Sequence, residues 1–246
     1  MGVPKIQAVG TAVPSYALEQ SEIKKFVAAL FHSHIDNLDR LLPVFESSCI
    51  KVRHFSQPLN WYGTSHSFAE ANKIFEQVAL ELSEKAALEA MKKANTKPED
   101  IGMVIFVSST GIVTPTLDAK LIQQLGLSPH TGRVPLWGLG CGGGVSGLAR
   151  AAELSHSLQG RSVLLVAVEL CSLTFQPNDY SKSNLVGTSI FADGAAAAVI
   201  TVDGNGPAIL DNYSTLFPDS ADVMGWDLVE TGFKVRFSKN IPSIVR

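Results

Sequence analysis

Cys141 lies in a cluster of glycines, in the sequence GLGCGGG at positions 138–144. Its glycine neighbours permit a sharp turn and a close approach of substrate to the backbone. A thiol at the start of a helix has its thiolate favoured by the helix dipole and by unpaired backbone N–H groups. The pattern therefore predicts a nucleophilic cysteine where a buried strand gives way to a helix. The alternative is a buried cysteine that packs as a small hydrophobe beside the glycines.

The same glycines also fit a dinucleotide-binding fingerprint. Gly142, Gly144 and Gly147 have the G-x-G-x-x-G spacing, and Glu169 follows Gly147 by twenty-two residues. Against this interpretation, the preceding strand is short and Cys141 is left without a role. A non-catalytic NAD- or acyl-binding module with a structural cysteine remains an alternative on spacing alone.

Strand-like and helix-like segments alternate around this cluster. Apolar residues recur every three or four positions over 67–93, which predicts a long helix, and apolar runs rich in β-branched residues predict buried strands at 103–109 and 162–168. Shorter elements are expected as strands at 5–9, 134–137, 191–202 and 209–217, as helices at 19–31, 116–125 and up to 158, and as a final strand with a helix beginning at Pro242. The order predicts an α/β layered domain with a mixed or mostly parallel sheet.

Composition narrows the class of protein. The 246 residues are 46% apolar and 17% charged with a net charge of −3, so a disordered chain is excluded and nucleic acid or an anionic membrane is disfavoured as a partner. The three cysteines, Cys49, Cys141 and Cys171, form neither a disulfide framework nor a CxxC metal clip. No signal-peptide pattern and no run of eighteen apolar residues occur. We expect a cytoplasmic protein without a metal site.

Three spaced motifs carry a resemblance to a known family. GCGGGVSGLARAAEL, VELCSLTF and LVGTSIFADGAAAAVI together resemble the type III polyketide synthases, the chalcone and stilbene synthase-like branch of the thiolase superfamily, in its bacterial style. The resemblance implies an α/β fold of the thiolase-like αβαβα layered type. It implies that residues 1–204 form the N-terminal domain with the nucleophile and that residues 205–246 begin a truncated C-terminal domain.

The resemblance also implies an activity and a set of site residues. Cys141 would take an acyl group from coenzyme A as a thioester, and a malonyl-derived enolate would attack that thioester. No cofactor is implied beyond the substrates acyl-CoA and malonyl-CoA, and a homodimer is implied. Phe191 matches an aromatic gate, Val235 a second gate position, and Thr114 a loop residue that reaches into the partner's cavity. The residues matching the lining of the elongation cavity are Ser109, Thr110, Thr174, Gly187 and Phe191.

Several positions depart from the plant members of the family. Val235 stands where a gate aromatic is expected, and Trp226 stands where a glycine is common. Of the basic residues that would grip coenzyme A phosphates, only Arg40, Lys51 and Arg53 are available. The resemblance to bacterial members with small gate residues implies a fatty acyl starter and alkylpyrone or alkylresorcinol products, with chalcone-like products as the alternative, and flavonoid starters are disfavoured. A 3-ketoacyl-ACP synthase III-like condensing enzyme is the alternative within the superfamily.

The catalytic histidine and asparagine of the family lie in its second half, at positions this sequence does not reach. His156 follows Cys141 by fifteen residues along one helix, about 22 Å away, too far for a hydrogen bond. The remaining histidines are interpreted as solvated surface residues: His32, His34, His54, His66 and His130. We expect the chain to be a truncated or fragmentary form with little condensing activity, in which Cys141 can still be acylated.

Overall fold

The structure, a computed structural model, describes residues 2–202 and 204–241. The chain divides into two compact units, each assembled from three separate stretches. The first unit comprises the residues up to 13, residues 76–169 and residues 194–215. The second comprises residues 14–75, residues 170–193 and the residues from 216 onward.

The regular elements are numbered in chain order. The strands are β1 (Lys5–Ala12), β2 (Tyr16–Glu19), β3 (Val52–Phe55), β4 (Ile101–Ser108), β5 (Gly132–Trp137), β6 (Ser162–Leu170), β7 (Asp193–Thr201), β8 (Met224–Val229) and β9 (Gly232–Phe237). The α-helices are α1 (Gln20–Phe31), α2 (Val44–Ser47), α3 (Phe68–Ala94), α4 (Leu117–Gln124), α5 (Gly143–Ser155) and α6 (Lys182–Ile190).

The first unit is built on a five-stranded sheet in the order β1-β7-β6-β4-β5. Strand β4 pairs in parallel with both β5 and β6, whereas β1 and β7 are antiparallel, so the sheet is mixed as expected. Residues of β4 and β6 are buried almost throughout, which confirms strands covered on both faces. Strand β5 lies at the sheet edge, and its residues alternate between half-buried and exposed.

One face of this sheet packs against α5. Alternate residues of three neighbouring strands form a buried cluster with helix residue Ala151, since side chains two apart in a strand share a face. The strand residues of this cluster are Ile105, Val107, Val163, Leu165, Ala198 and Ile200. Helix α5 is thereby fixed by the sheet, and so is the position of its first turn.

The second unit contains two small antiparallel ribbons, β2–β3 and β8–β9, together with α1, α2 and α6. Its core gathers the apolar stripe of α1, residues at i, i+4 and i+8, around aromatic side chains. The fully or nearly buried members are Ile23, Val27, Phe31, Leu38, Leu42, Phe45, Phe55, Tyr62 and Leu185.

Four expectations need correction or limitation. The strand expected at 209–217 does not form. The segment is preceded by an isolated bridge between Ala208 and Lys5, and the Ile209 N–H donates to the carbonyl oxygen of Pro4 (2.8 Å). The polar stretch after β6 contains α6 rather than only a loop. The strand before Cys141 is not buried, because Trp137 at its end is 55% exposed. The helix start expected at Pro242 lies outside the described residues.

Candidate functional site

Cys141 lies in a single turn of 3-10 helix, Gly140–Gly142, that runs directly into α5. The turn from β5 requires positive φ at Gly138 (83°) and at Gly140 (51°), a conformation that residues with a Cβ rarely adopt. The thiol is free and exposed among the described residues. The structure thus places Cys141 at a helix start, as predicted, and the residue is exposed; its role as a nucleophile stays a prediction.

Two other glycines of the cluster set the distance between α5 and the sheet. A Cβ on Gly143 would lie 2.5 Å from Val107 Cγ1, and a Cβ on Gly147 would lie 2.6 Å from Leu165 Cδ1. By contrast, a Cβ on Gly144 would meet nothing within 4 Å. The cluster therefore combines turn-forming, packing and open positions, and its packing glycines hold the first turn of α5 close against β4.

The acidic residue of the dinucleotide alternative, Glu169, already accepts hydrogen bonds from neighbouring residues. Glu169, at the carboxyl end of β6, accepts hydrogen bonds from the Ser109 N–H (3.1 Å), the Ser109 hydroxyl (2.9 Å) and the Thr110 hydroxyl (2.6 Å). A ribose would have to displace these donors. Gly147 is likewise explained by helix packing, so the fingerprint has no geometric support here.

Ser109 and Thr110, both 4% exposed, thus form a polar cluster with the half-buried Glu169 at the carboxyl ends of β4 and β6. Burial raises the pKa of Glu169, because it disfavours the ionised carboxylate, and the hydrogen bonds from Ser109 and Thr110 oppose this effect. The sequence pattern indicated Glu169 only as the acidic residue of the dinucleotide alternative, not as a neighbour of Ser109 and Thr110. The signal was available, since neighbouring parallel strands end at the same edge of a sheet.

Thr114 is exposed and precedes Pro115 through a cis peptide bond, on the loop that leads to α4. Cys141, Ser109, Thr110 and Thr114 all belong to the first unit. Their roles in a reaction remain predictions.

The other four candidate residues come together in the second unit. Thr174, Gly187, Phe191 and Val235 line one apolar cavity of about 40 Å³. A Cβ on Gly187 would lie 3.4 Å from both Phe191 and Val235, so the glycine lets those two side chains approach α6. Cys171 also lines this cavity, a position that sequence analysis left without a role.

The ring of Phe191 is packed by aromatic residues of the β8–β9 ribbon. Its centroid lies 5.8 Å from the rings of Trp226 and of Phe237. Trp226 and Val235 are paired directly opposite each other in this ribbon. The tryptophan that departs from the family pattern therefore contacts the predicted gate residue.

Arg53 cannot serve as an exposed phosphate contact. It is 3% exposed, and its Nε and Nη1 donate to acceptors within the second unit. Burial lowers the pKa of Arg53 to about 10, and the charge of Asp193 opposes this shift. Of the three basic residues named for coenzyme A, Arg40 and Lys51 remain exposed.

The histidines of the first unit lie away from Cys141. His156 caps the far end of α5, thirteen residues long, and His130 precedes β5 whereas Cys141 follows it. Each element spans about 20 Å. Two histidines of the second unit are not solvated as expected, because His54 Nδ1 lies 2.8 Å from the Pro14 carbonyl oxygen and His66 stacks on Trp61.

Two further properties concern the described residues only. Within 2–202 and 204–241, no group of three or more His, Cys, Asp or Glu side chains is arranged to hold a metal ion. In the same residues, no helix has the length and apolar character needed to cross a membrane.

Comparisons with known proteins agree with the sequence motifs. A profile of the family described as "Chalcone and stilbene synthases, N-terminal domain" matches residues 1–204. A putative chalcone synthase of Bacillus subtilis is 42% identical over 98% of this chain and 70% of that protein. A 1,3,6,8-tetrahydroxynaphthalene synthase of Streptomyces peucetius is 34% identical over 98% of this chain and 65% of that protein.

Solved structures show the same fold. The 1,3,6,8-tetrahydroxynaphthalene synthase of Streptomyces coelicolor, a bacterial type III polyketide synthase, superposes with a TM-score of 0.93 at 29% identity, over 98% of this chain and 69% of that one. The type III polyketide synthase domain of Steely1 from Dictyostelium gives a TM-score of 0.90 at 29% identity, over 99% of this chain and 70% of that one. The fold is therefore the thiolase-like α/β fold of these enzymes, and the chain belongs to the type III polyketide synthase family of chalcone and stilbene synthases.

Proposed function

We propose that this protein is a polyketide synthase in which Cys141 carries the growing chain. The Cys141 thiolate attacks the carbonyl carbon of an acyl-CoA, and the thiolate of coenzyme A leaves and takes up a proton. Malonyl-CoA loses CO₂ to give an enolate, whose carbon attacks the Cys141 thioester. A new carbon–carbon bond forms and the Cys141 thiolate is released.

The observation that carries this proposal is the accessible thiol at the start of α5, held on a glycine turn with its helix packed against β4. The family membership supplies the chemical class of the reaction, and the relatives named above are chalcone and tetrahydroxynaphthalene synthases.

Mass spectrometry of the intact and digested protein tests the nucleophile. After incubation with acyl-CoA, the peptide containing Cys141 should gain the mass of one acyl group, and Cys141→Ala should abolish the gain. Cys49→Ala is the matched control, because Cys49 is also a free and exposed thiol. Acylation of Cys49 to the same extent, or unchanged acylation in Cys141→Ala, would refute the proposal.

We further propose that decarboxylation needs a histidine and an asparagine beside the thiolate, as the family resemblance implies, and that neither histidine of the first unit is placed to serve. His130 and His156 of the first unit each lie an element's length from Cys141. The chain therefore should be acylated yet release little polyketide from malonyl-CoA. Sustained product release by a verified chain of 246 residues would contradict this expectation.

For the starter, we propose an apolar and preferably fatty acyl group, which gives alkylpyrone or alkylresorcinol products. The cavity that Phe191 and Val235 line is almost wholly apolar. Its volume of about 40 Å³ is roughly a quarter of that of a cavity that holds benzene, so a fatty chain fits only if Phe191 or a neighbouring side chain moves. Competition between acyl-CoAs of two to fourteen carbons for acylation of Cys141 measures the preference, and a preference for acetyl-CoA or malonyl-CoA over all longer starters would refute a fatty starter.

Two organisational proposals accompany the activity. We propose a first domain of residues 1–204 with a second domain beginning at 205, which the extent of the family match supports. We also propose a homodimer with Thr114 near the partner's cavity, supported by the family resemblance and the exposed loop. Light scattering at several protein concentrations tests the dimer, and a monomer throughout would contradict it.

A further inference from the structure

Arg53 is a buried cation beneath the end of α6. Its Nη1 donates hydrogen bonds to the carbonyl oxygens of Thr188 (2.6 Å) and Phe191 (2.7 Å), and its Nε donates to Gln20 Oε1 (2.9 Å). Burial of a guanidinium is costly unless its N–H groups find acceptors. The last carbonyl groups of a helix lack partners within the helix and favour a cation. Nε and Nη1 of Arg53 thus supply partners to Gln20 and to the carbonyl groups at the helix end, whereas Nη2 is buried without a hydrogen-bond partner among the described residues.

Gln20 adds a second attachment to the same turn. Its Nε2 donates to the carbonyl oxygen of Ser189 (2.8 Å) and to that of Phe45 (3.2 Å). The carbonyl groups of Thr188, Ser189 and Phe191 are thus all held by side chains from α1 and β3. This turn cannot shift without breaking buried hydrogen bonds.

The chain is held again two residues beyond Phe191. The buried carboxylate of Asp193 accepts from the backbone N–H groups of Ser56 (2.7 Å) and Ser172 (2.7 Å) and from both serine hydroxyls (2.5 Å each). Phe191 therefore lies on a short segment fixed at both ends, at the carbonyl groups before it and at the carboxylate after it.

The side chain on this fixed segment forms part of the cavity wall. The ring of Phe191 faces the cavity of about 40 Å³ together with Gly187 and Val235. Withdrawal of the ring would enlarge the cavity, but the held backbone opposes withdrawal. We propose that Arg53 is a positioning residue that keeps Phe191 in the cavity wall and so limits the length of the apolar chain that the cavity accepts.

This inference rests on the proposed function only in assigning the cavity to a starter chain. A purely structural role for Arg53 would lower the folded fraction and weaken the binding of every ligand equally. A positioning role instead changes the ratio of affinities for long and short chains. That ratio does not depend on how much of the protein is folded.

The test uses neutral chains that need no acylation. Binding of 1-hexanol and 1-dodecanol to the full 246-residue chain is measured by displacement of 1-anilinonaphthalene-8-sulfonate. The variants are Arg53→Lys and Phe191→Ala, with Arg133→Lys as the control, since Arg133 pairs with Asp118 in the first unit. The dodecanol-to-hexanol affinity ratio should rise in Arg53→Lys and Phe191→Ala, by about fourfold for each further methylene that enters the cavity, and stay unchanged in Arg133→Lys.

Each pattern of affinity ratios supports or refutes the positioning role of Arg53. A ratio that rises in Phe191→Ala but not in Arg53→Lys would show that Phe191 holds its position without Arg53. A ratio unchanged in both would show that this wall does not limit chain length. If circular dichroism shows that Arg53→Lys does not fold, Gln20→Met removes the attachment to Ser189 and undergoes the same measurement. The alcohols form no thioester, so the affinity ratio does not depend on Cys141 and Cys141→Ala should give the wild-type ratio. A failure of Cys141 acylation would therefore refute the proposed function without deciding the role of Arg53.

Discussion

Replacement of Gly143 by alanine should destabilise the first unit through one contact. The new Cβ would lie 2.5 Å from Val107 Cγ1, whereas carbon atoms pack at about 3.5–4.0 Å. Val107 is 4% exposed and β-branched, so its side chain cannot rotate away freely. Either α5 must move outward by about 1 Å or the strand must deform, since protein interiors are close-packed.

The neighbouring residue offers a matched control. Gly144→Ala makes the same chemical change one position along α5, where a Cβ would meet nothing within 4 Å. Overpacking lowers the free energy of unfolding by about 1–3 kcal/mol in Gly143→Ala. The change from glycine to alanine in a helix raises it by about 0.5–1 kcal/mol in both variants. Gly143→Ala should therefore be less stable than Gly144→Ala by about 2 kcal/mol.

Urea unfolding followed by circular dichroism measures this difference. With a slope of about 2 kcal/mol/M, the midpoints of the two variants should differ by about 1 M. Cys141 lies two residues before Gly143, so the same displacement should slow its acylation by acyl-CoA, by up to about 100-fold for a 1 Å misplacement. A Gly143→Ala variant as stable as Gly144→Ala would refute the packing role that we assign to this glycine.

Three further predictions concern buried polar groups. Because burial raises the pKa of Glu169 above its ordinary value of 4.5, the folded state binds this proton more tightly than the unfolded chain, and the stability contributed by this group is lost as pH rises above 4.5. Glu169→Gln should remove that loss, so its unfolding free energy relative to wild type should increase from pH 4.5 to pH 7.5 in urea titrations; a difference independent of pH would contradict this. Arg133→Met should cost about 2 kcal/mol in the same assay at pH 7, because it leaves the fully buried carboxylate of Asp118 without its cation, and a neutral effect would count against the pair. Tyr62→Phe should cost about 1–2 kcal/mol by removing the 2.6 Å hydrogen bond to the Ser172 hydroxyl, and thermal melting at one scan rate would show the loss or its absence.

Local sequence patterns were sufficient to predict the elements that bury one regular face. The long helix expected over 67–93 is α3, Phe68–Ala94, because apolar residues at three- and four-residue spacing need no distant partner to be recognised. The turn and helix start at Cys141 were predicted for the same reason, since the glycines act within a few residues of the thiol.

Two segments were interpreted wrongly, α6 and residues 209–217, because residue composition did not indicate their actual contacts. Helix α6 contains serine, asparagine, glycine and threonine, which are poor helix formers, and it is stabilised by Ser181 as its N-cap and by Asn184 bonding back to Gln176 and Asp179. Residues 209–217 have the composition of a strand but expose their large side chains, with Tyr213 94% exposed. Strand propensity reflects packing on a neighbouring strand, and this segment has none among the described residues.

The site residues differ in how far along the chain their contacts lie. Cys141 could be found from its neighbours in sequence. The contacts of Glu169 with Ser109 span about sixty residues, and those of Arg53 with Thr188 and Phe191 span 135 and 138 residues. Residue type alone gives no indication of such distant pairing, which is why Arg53 was counted among the basic residues available for phosphate contact.

The interleaving of the two units has a consequence for synthesis. The acceptors of the Arg53 guanidinium include carbonyl groups of Thr188 and Phe191, so the cation must remain hydrated until the ribosome has added the residues of α6. The second unit therefore cannot close as the chain emerges in order, and its first stretch must wait while most of the first unit is translated. A nascent chain arrested before residue 188 should leave α1 and the β2–β3 ribbon open to protease, and one released after the β8–β9 ribbon should protect them.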